Sequence, residues 1–439
     1  MSANPMAPGA QQKRFAAYLD RLAHAAGHVD RAVPLKSYCT GLLLPGERKS
    51  VEPMAARLSR ENLRQSHQSL HHFVAHAPWS DDDILETVRG YVVPAIEQQG
   101  PIAAWIVDDT GFVKKGTHSV GVARQYCGQV GKQENCRVAV SLSASTMKAS
   151  LPLAWRLYLP QAWTQDKERR KAAGIPQEIS FQTKPEIALD QIRAAVARQI
   201  PLAPVLADPA YGNDTGFREG ITTLGLLYVL GIQSSLSVWK PGQAPLPKRK
   251  WNGIGRPTKL LRRDPRHKPV SVRELAVGLP SSAWKNVLWR EGTGKPLRSR
   301  FAALRVRPAH RDCWMSEPRP EEWLLIEWPS QEAAPTKYWL STLPAETELR
   351  DLVCLAKHRW IIERDYEELK QELGLGHYEG RNWRGFHHHA TMCIAAYGFL
   401  VAERSRFSPS ARAGRLHLPI PQAPPQFSPR GSPGARTAA

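Results

Sequence analysis

Two short apolar runs, each closing on an aspartate, constrain this chain more than any other feature. Ala103 to Thr110 reads Ala-Ala-Trp-Ile-Val-Asp-Asp-Thr, and Pro204 to Gly212 reads Pro-Val-Leu-Ala-Asp-Pro-Ala-Tyr-Gly. Short unbroken apolar runs of this kind suit strands covered on both faces, as in a layered α/β sheet. Further strands are expected over Cys136 to Leu142 and Leu151 to Leu159, with a clear helix over Lys184 to Gln199. A carboxylate at the end of a buried strand is costly unless something positive meets it. Functional groups in such sheets gather at strand ends, so Asp108, Asp109 and Asp208 are the first candidates for chemistry.

A third carboxylate comes from His358 to Lys370. Read as a helix at about 100° per residue, this stretch puts Arg359, Glu363, Tyr366 and Lys370 on one narrow face. Trp360, Ile361, Ile362 and Leu369 supply its packing side. In isolation it is an amphipathic helix with spaced ion pairs. Beside two acid-ended strands, Glu363 becomes the third member of an acid set. Three converging carboxylates repel one another but suit hard divalent cations, and Mg²⁺ binds through a few carboxylates together with substrate phosphate oxygens. Two such ions, with Mn²⁺ able to substitute, activate a nucleophile and stabilise the leaving oxygen of a phosphoryl displacement.

The charge balance points to the substrate class. Lys plus Arg outnumber Asp plus Glu by 60 to 40, a net charge of +20, which favours a polyanionic partner. Between Lys240 and Arg311 there are 19 Lys or Arg against three acids, Asp264, Glu274 and Glu291. Within that segment Lys248, Arg249, Lys250 and Arg256 sit on a Gly/Pro-containing loop and are candidates for DNA contact. The six cysteines include no CxxC pair, so neither a zinc cluster nor a disulfide framework is indicated. No apolar run reaches membrane-spanning length and there is no signal-peptide core, so a cytoplasmic protein is expected.

The chain divides as follows. Residues 1–11 are expected to be disordered. Residues 12–97 form a helical domain: Phe15, Tyr18, Leu19 and Leu22 mark a first helix, Val51 to Leu58 and Leu63 to Val74 two more, and Ser80 with Asp83 caps a fourth. With Arg57, Arg60, Arg64 and His67 on show, this domain is either a helix-turn-helix DNA reader or a structural bundle. Residues 98–223 are the first part of an α/β core, 224–350 a β-rich basic insertion, and 351–402 the last part of the core. Residues 403–439 form a basic, Pro-rich, disordered tail.

The three acid-bearing stretches together resemble the bacterial insertion-sequence transposases with a DDE triad on an RNase H-like fold. The resembling segments are Val107-Asp108-Asp109-Thr110-Gly111-Phe112, then Val205-Leu206-Ala207-Asp208 before Tyr211-Gly212, then Arg359, Glu363 and Lys370 at the spacing of that family's Y-R-E-K signature. The signature's tyrosine falls on Ala356 and is absent. Gly374-Leu375-Gly376-His377-Tyr378-Glu379-Gly380-Arg381 is also similar, and the likeness runs from about 100 to 402.

The resemblance implies an RNase H-like mixed sheet flanked by helices, interrupted by the β-rich insertion. It implies a metal-dependent enzyme that cuts double-stranded DNA at terminal inverted repeats and joins the freed ends to target DNA as a homodimer. It places the metal ligands at Asp109, Asp208 and Glu363, with Asp109 preferred to Asp108 because it directly precedes Thr110. Arg359 and Lys370 become phosphate contacts that position the strand. Two other readings are a DNA-binding protein of the same fold without turnover, and a resolvase or repair nuclease. Trp284, Trp289, Trp323, Trp328 and Trp339 are read as core before base-stacking residues. His387-His388-His389 is read as packing or phosphate contact rather than a metal tract, because adjacent helical residues point apart.

Overall fold

A computed structural model of the chain describes residues 8–59, 61–254, 256, 258–290 and 297–407. Five helices open it: α1 (Pro8–Ala25), α2 (Ala32–Leu43), α3 (Val51–Leu58), α4 (Leu63–Ala75) and α5 (Asp81–Glu97). A four-strand run follows, β1 (Ala104–Val113), β2 (Ala123–Cys127), β3 (Lys132–Ser145) and β4 (Ser150–Leu157). The short α6 (Gln161–Gln165) and α7 (Lys167–Ala172) lead to α8 (Lys184–Ala197), then β5 (Val205–Ala207), α9 (Pro209–Gly212), α10 (Thr215–Thr223) and β6 (Tyr228–Ile232). The basic segment holds β7 (Ser237–Trp239), β8 (Val270–Ser271), α11 (Val272–Val277), β9 (Lys285–Arg290), β10 (Leu297–Pro308), β11 (Glu322–Trp328) and β12 (Lys337–Ser341). The chain closes with α12 (Leu349–His358), α13 (Ile361–Glu367), a π turn (Glu368–Glu372) and α14 (Trp383–Phe407).

Local chemistry accounts for where the principal helices start. Ser80 accepts the amide of Asp83, and Asp81, Asp82 and Asp83 place negative charge in the first turn of α5. Thr183 and Glu186 close a reciprocal capping box at the start of α8. The strands form one sheet in the order β2-β3-β1-β5-β6-β12-β11-β10-β7-β8, with β4 on β3 and β9 on β10. β1, β5 and β6 are parallel, while β3 runs antiparallel to β1 and β12 antiparallel to β6. This is the mixed, helix-flanked α/β sheet expected of an RNase H-like fold. The basic segment continues that sheet, because β6 and β12 are hydrogen-bonded neighbours. Among the described residues no helix is long and apolar enough to cross a membrane.

Both ends differ from expectation. Pro8 to Gln11 already belong to α1, and Glu403 to Phe407 complete α14; residues 1–7 and 408–439 lie outside the described residues, as does Arg60. The ends of these helices tie together: Arg14 pairs with Glu403 at 2.5 Å and Phe15 packs on Phe399. Tyr18 donates to the Ala395 carbonyl at 2.8 Å. The N-terminal helices thus wrap α14, which is buried along most of its length.

The three consecutive histidines serve that wrapping, each with its own partners. The His387 Nδ1–H donates to the Trp383 carbonyl while Nε2 accepts the Leu157 amide. His388 donates to the Trp79 carbonyl and stacks on its indole at 3.6 Å. His389 donates from Nε2 to the Gly374 carbonyl and accepts the Tyr38 hydroxyl at Nδ1, 2.8 Å away. Burial pushes their pKa values down, to about 4, 3 and 4. For a base held neutral in the fold, the unfolded chain takes up the proton first as pH falls. The stabilisation is therefore intact above the ordinary histidine pKa of 6.5 and is lost as pH drops towards 4. Between pH 7.5 and 5, urea denaturation of the wild type should lose roughly 1–2 kcal/mol more stability than His389→Gln does. Equal losses would show that His389 is not held neutral.

Candidate active site

β1 extends beyond the end of β5, so its two aspartates stand where the sheet opens. Register and alternation separate them. Asp108 lies opposite Ser141 of β3 and Asp109 opposite Val140, and successive strand residues face opposite sides. Ser141, Ser143 and Ser145 line one buried face of β3. On that face lies the segment bearing the third acid. The hydroxyls of Ser141 and Tyr366 share a hydrogen bond of 2.7 Å, and Ser145 meets His358 Nε2 at 3.0 Å. Asp365 is buried between Ser150 at 2.5 Å and Tyr397 of α14 at 2.7 Å, and its burial raises its pKa to about 6.

Asp108 shares this face. Its Oδ2 accepts Arg359 Nη1 at 2.6 Å. Burial pushes Asp108 up to about 7, against the downward pull of Arg359 and with upward contributions from Asp208 and Asp109. Asp208 caps α9, its Oδ1 accepting the Ala210 amide at 2.9 Å. Its pKa is also raised by burial, opposed by Arg359 and assisted by Asp109. Glu363 is 69% exposed, with an oxygen 3.9 Å from Arg359 Nη2. Burial works to lower the Arg359 pKa, but Asp108, Asp208 and Glu363 together hold it raised. One guanidinium therefore stands among three carboxylates brought in by β1, the end of β5 and α13.

Asp109 keeps different company. Its Oδ2 lies 3.1 Å from Lys184 Nζ of α8 and accepts the Tyr211 hydroxyl at 3.2 Å. The sequence reading preferred Asp109 because of its place beside Thr110; the strand's alternation turns it towards α8, and Asp108 is the acid that meets Arg359. Lys184 has no role in the sequence reading and Tyr211 enters it only as a marker after Asp208, although a lysine opening a capped helix and the tyrosine of Asp-Pro-Ala-Tyr-Gly are both visible signals. So is the repeat of serines at every second position of β3.

The single helix expected from Arg359 onwards is divided. The Arg359–Trp360 turn tightens between α12 and α13, with the Ile362 amide bonded to the Arg359 carbonyl, and Glu368–Glu372 winds as a π turn. Lys370 lies on that turn. Its Nζ donates to the Gly111 carbonyl at 2.9 Å, reaches Gln129 at 3.3 Å, and lies over the Phe112 ring. Lys248, Arg249, Lys250 and Arg256 are exposed on the loop between β7 and β8. In the strand order β7 lies well across the sheet from β1, so the fold does not build these four side chains into the acid cluster. Trp284 packs edge-on against Trp328 and Trp289 against Phe301. Trp323 is held by the Pro344 carbonyl, and Trp339 is partly buried against the core.

A family model described as DDE superfamily endonuclease matches residues 18–296. The chain belongs to that family. Over 233 residues it is 30% identical to a probable transposase for insertion sequence element IS701 from Microchaete diplosiphon, covering 53% of this chain and 56% of the relative. The chain thus spans little more than half the length of that curated relative. The family match carries both aspartate strands and ends before Glu363, so the third acid rests on the spacing of Arg359, Glu363 and Lys370 and on geometry.

The donor set of Asp108, Asp208 and Glu363 is all oxygen and carries more negative charge than Arg359 balances, which suits a hard divalent cation. Among the described residues no three such side chains stand close enough to hold an ion as they are placed; the guanidinium supplies the positive charge. A double-mutant cycle tests this arrangement. Asp108→Asn and Arg359→Met should couple by about 1 kcal/mol or more, whereas Asp109→Asn and Arg359→Met should be nearly additive. The reverse pattern in urea unfolding would place the wrong aspartate against Arg359.

Proposed function

We propose that this DDE endonuclease is the transposase of an insertion sequence, cutting double-stranded DNA at the element's terminal inverted repeats and transferring the freed 3′ hydroxyls to target DNA. The observation that carries this reading is Arg359 bonded to Asp108, 3.9 Å from Glu363 and under the electrostatic influence of Asp208. A protein that only bound DNA would gain nothing from anionic groups facing phosphates, so three acids beside a strongly basic chain favour turnover over binding alone. Asp108, Asp208 and Glu363 would hold Mg²⁺, which when bound supplies charge stabilisation and nucleophile activation for an in-line displacement at phosphorus. Arg359, released from Asp108, would be free to neutralise a phosphate beside the scissile bond. Lys370 buttresses β1 at Gly111 and presents charge next to it. The exposed Lys248, Arg249, Lys250 and Arg256 suit backbone contacts outside the acid cluster, where neutralising phosphate adds affinity without reading sequence. Two copies pairing two ends follow from the resemblance to insertion-sequence transposases.

The test is cleavage of a plasmid carrying the native element ends, in Mg²⁺ or Mn²⁺. Asp108→Asn, Asp208→Asn and Glu363→Gln should each lower cleavage by at least about 10³-fold, a loss of about 4 kcal/mol in transition-state stabilisation, while end binding persists. Cleavage by Asp208→Asn at the wild-type rate would overturn the acid-set assignment. Cleavage of branched DNA lacking inverted repeats, with none of the element ends, would favour the resolvase reading.

A further inference from the structure

Consecutive aspartates in β1 pose a question that the acid cluster does not answer: Asp108 suffices to meet Arg359, yet Asp109 is also largely withdrawn from solvent, 20% exposed, with two partners of its own. One is the Tyr211 hydroxyl at 3.2 Å and the other Lys184 Nζ at 3.1 Å. Tyr211 is fully buried in α9, a helix of four residues whose cap is Asp208. A single turn of that length cannot hold its geometry by its own hydrogen bonds and must be fixed from outside.

The Arg218 guanidinium holds the Gly212 carbonyl, and two further contacts fix the turn. At the C-terminal end α9 lies directly on β6, where a Cβ on Gly212 would stand 2.0 Å from the Gly231 carbonyl oxygen. Beside that contact the Tyr211 side chain reaches across to Asp109. Because the Asp208 carboxylate is oriented by the Ala210 amide one residue earlier, any tilt of α9 would carry Asp208 with it. Lys184 occupies the first residue of α8, where the helix dipole disfavours a cation. Its place there is explained by the carboxylate opposite, whose charge it partly balances while Asp109 still raises the pKa of both neighbouring acids.

We propose that Asp109 is a positioning residue that sets Asp208 through Tyr211, with Lys184 as its counterion. The inference rests on the reading of Asp208 as a member of the phosphodiester-cleaving set. Asp109→Asn keeps an oxygen that accepts the tyrosine hydroxyl, whereas Asp109→Ala and Tyr211→Phe break the link. The full-length variants are assayed for cleavage of end-bearing DNA, for Mn²⁺ binding without DNA by calorimetry, and for urea stability. Asp109→Asn should cleave within about threefold of wild type, while Asp109→Ala and Tyr211→Phe should lose roughly 10- to 100-fold in kcat with KM for DNA unchanged, as for a small displacement of a reacting group. Weakened Mn²⁺ binding should accompany that loss.

Loss of cleavage in Asp109→Asn as complete as in Asp208→Asn would make Asp109 a ligand and overturn the proposal. Wild-type kcat in a folded Tyr211→Phe would overturn it too, and that variant serves if Asp109→Ala does not fold. Undiminished cleavage by Asp208→Asn would instead sink the functional reading beneath it, a distinguishable result.

Discussion

The site depends on one guanidinium. Asp108 within β1 and Asp208 just past the end of β5 are drawn out of water by the packing around them, and burial alone makes both harder to ionise. A carboxylate in such a place must either take up a proton or find a cation. Arg359 provides that cation at 2.6 Å from Asp108 and within the influence of Asp208 and Glu363. Its planar, permanently charged head can serve several oxygens at once, which lysine's point charge does less well. The ion pair also links chain segments 251 residues apart, so the charge arrangement and the docking of α13 onto β1 are one event. A ligand cation entering the acids would compete with Arg359 for the same negative charge, and the arginine so displaced would already stand beside the substrate.

Charge elsewhere is organised by the sheet. Continuing β6 through β12, β11 and β10 to β7 moves the basic segment across the molecule from the acids. A concentration of Lys and Arg repels itself, and here one acid steadies its base. Asp312, almost wholly buried, accepts the Trp239 indole at 2.6 Å and pairs with Arg263. That anchor fixes where the loop leaves the sheet while Lys248, Arg249 and Lys250 stay exposed, an arrangement suited to a partner that supplies the missing negative charge.

Much of this was legible from residues. The acid that follows β5 and the Ser80 cap of α5 translate directly into structure, because each is a local signal with a local cause, whereas β1 runs on past its two aspartates to Val113. The choice between Asp108 and Asp109 was different. Adjacent strand residues differ only in the face they address, and which face receives α13 is decided by pairing with β3, far along the chain. The π turn at Glu368–Glu372 leaves no mark in a helical wheel, which assumes one pitch throughout. His387 to His389 look like a cluster in sequence, but a helix spreads them around its circumference, and each finds a different neighbour.

The position of Glu363 follows from contacts that contain no catalytic group. Asp365 is held by Ser150 and by Tyr397 of α14, Tyr366 by Ser141, and His358 by Ser145. A helix this short and this exposed at Glu363 would otherwise tilt freely, and a carboxylate misplaced by an ångström loses most of its value in catalysis. Serine suits the strand side of these contacts because its hydroxyl donates or accepts as the partner requires and leaves room for a helix to approach. Through Tyr397 the arrangement ends on α14, the same helix that Tyr18 and Tyr38 of the N-terminal domain grip by hydrogen bonds. The helices that open the chain and the segment that carries Glu363 therefore share one support. Anything that shifted α14 against the sheet would be felt at Glu363 before it reached Asp108, whose strand is locked by its own ladders.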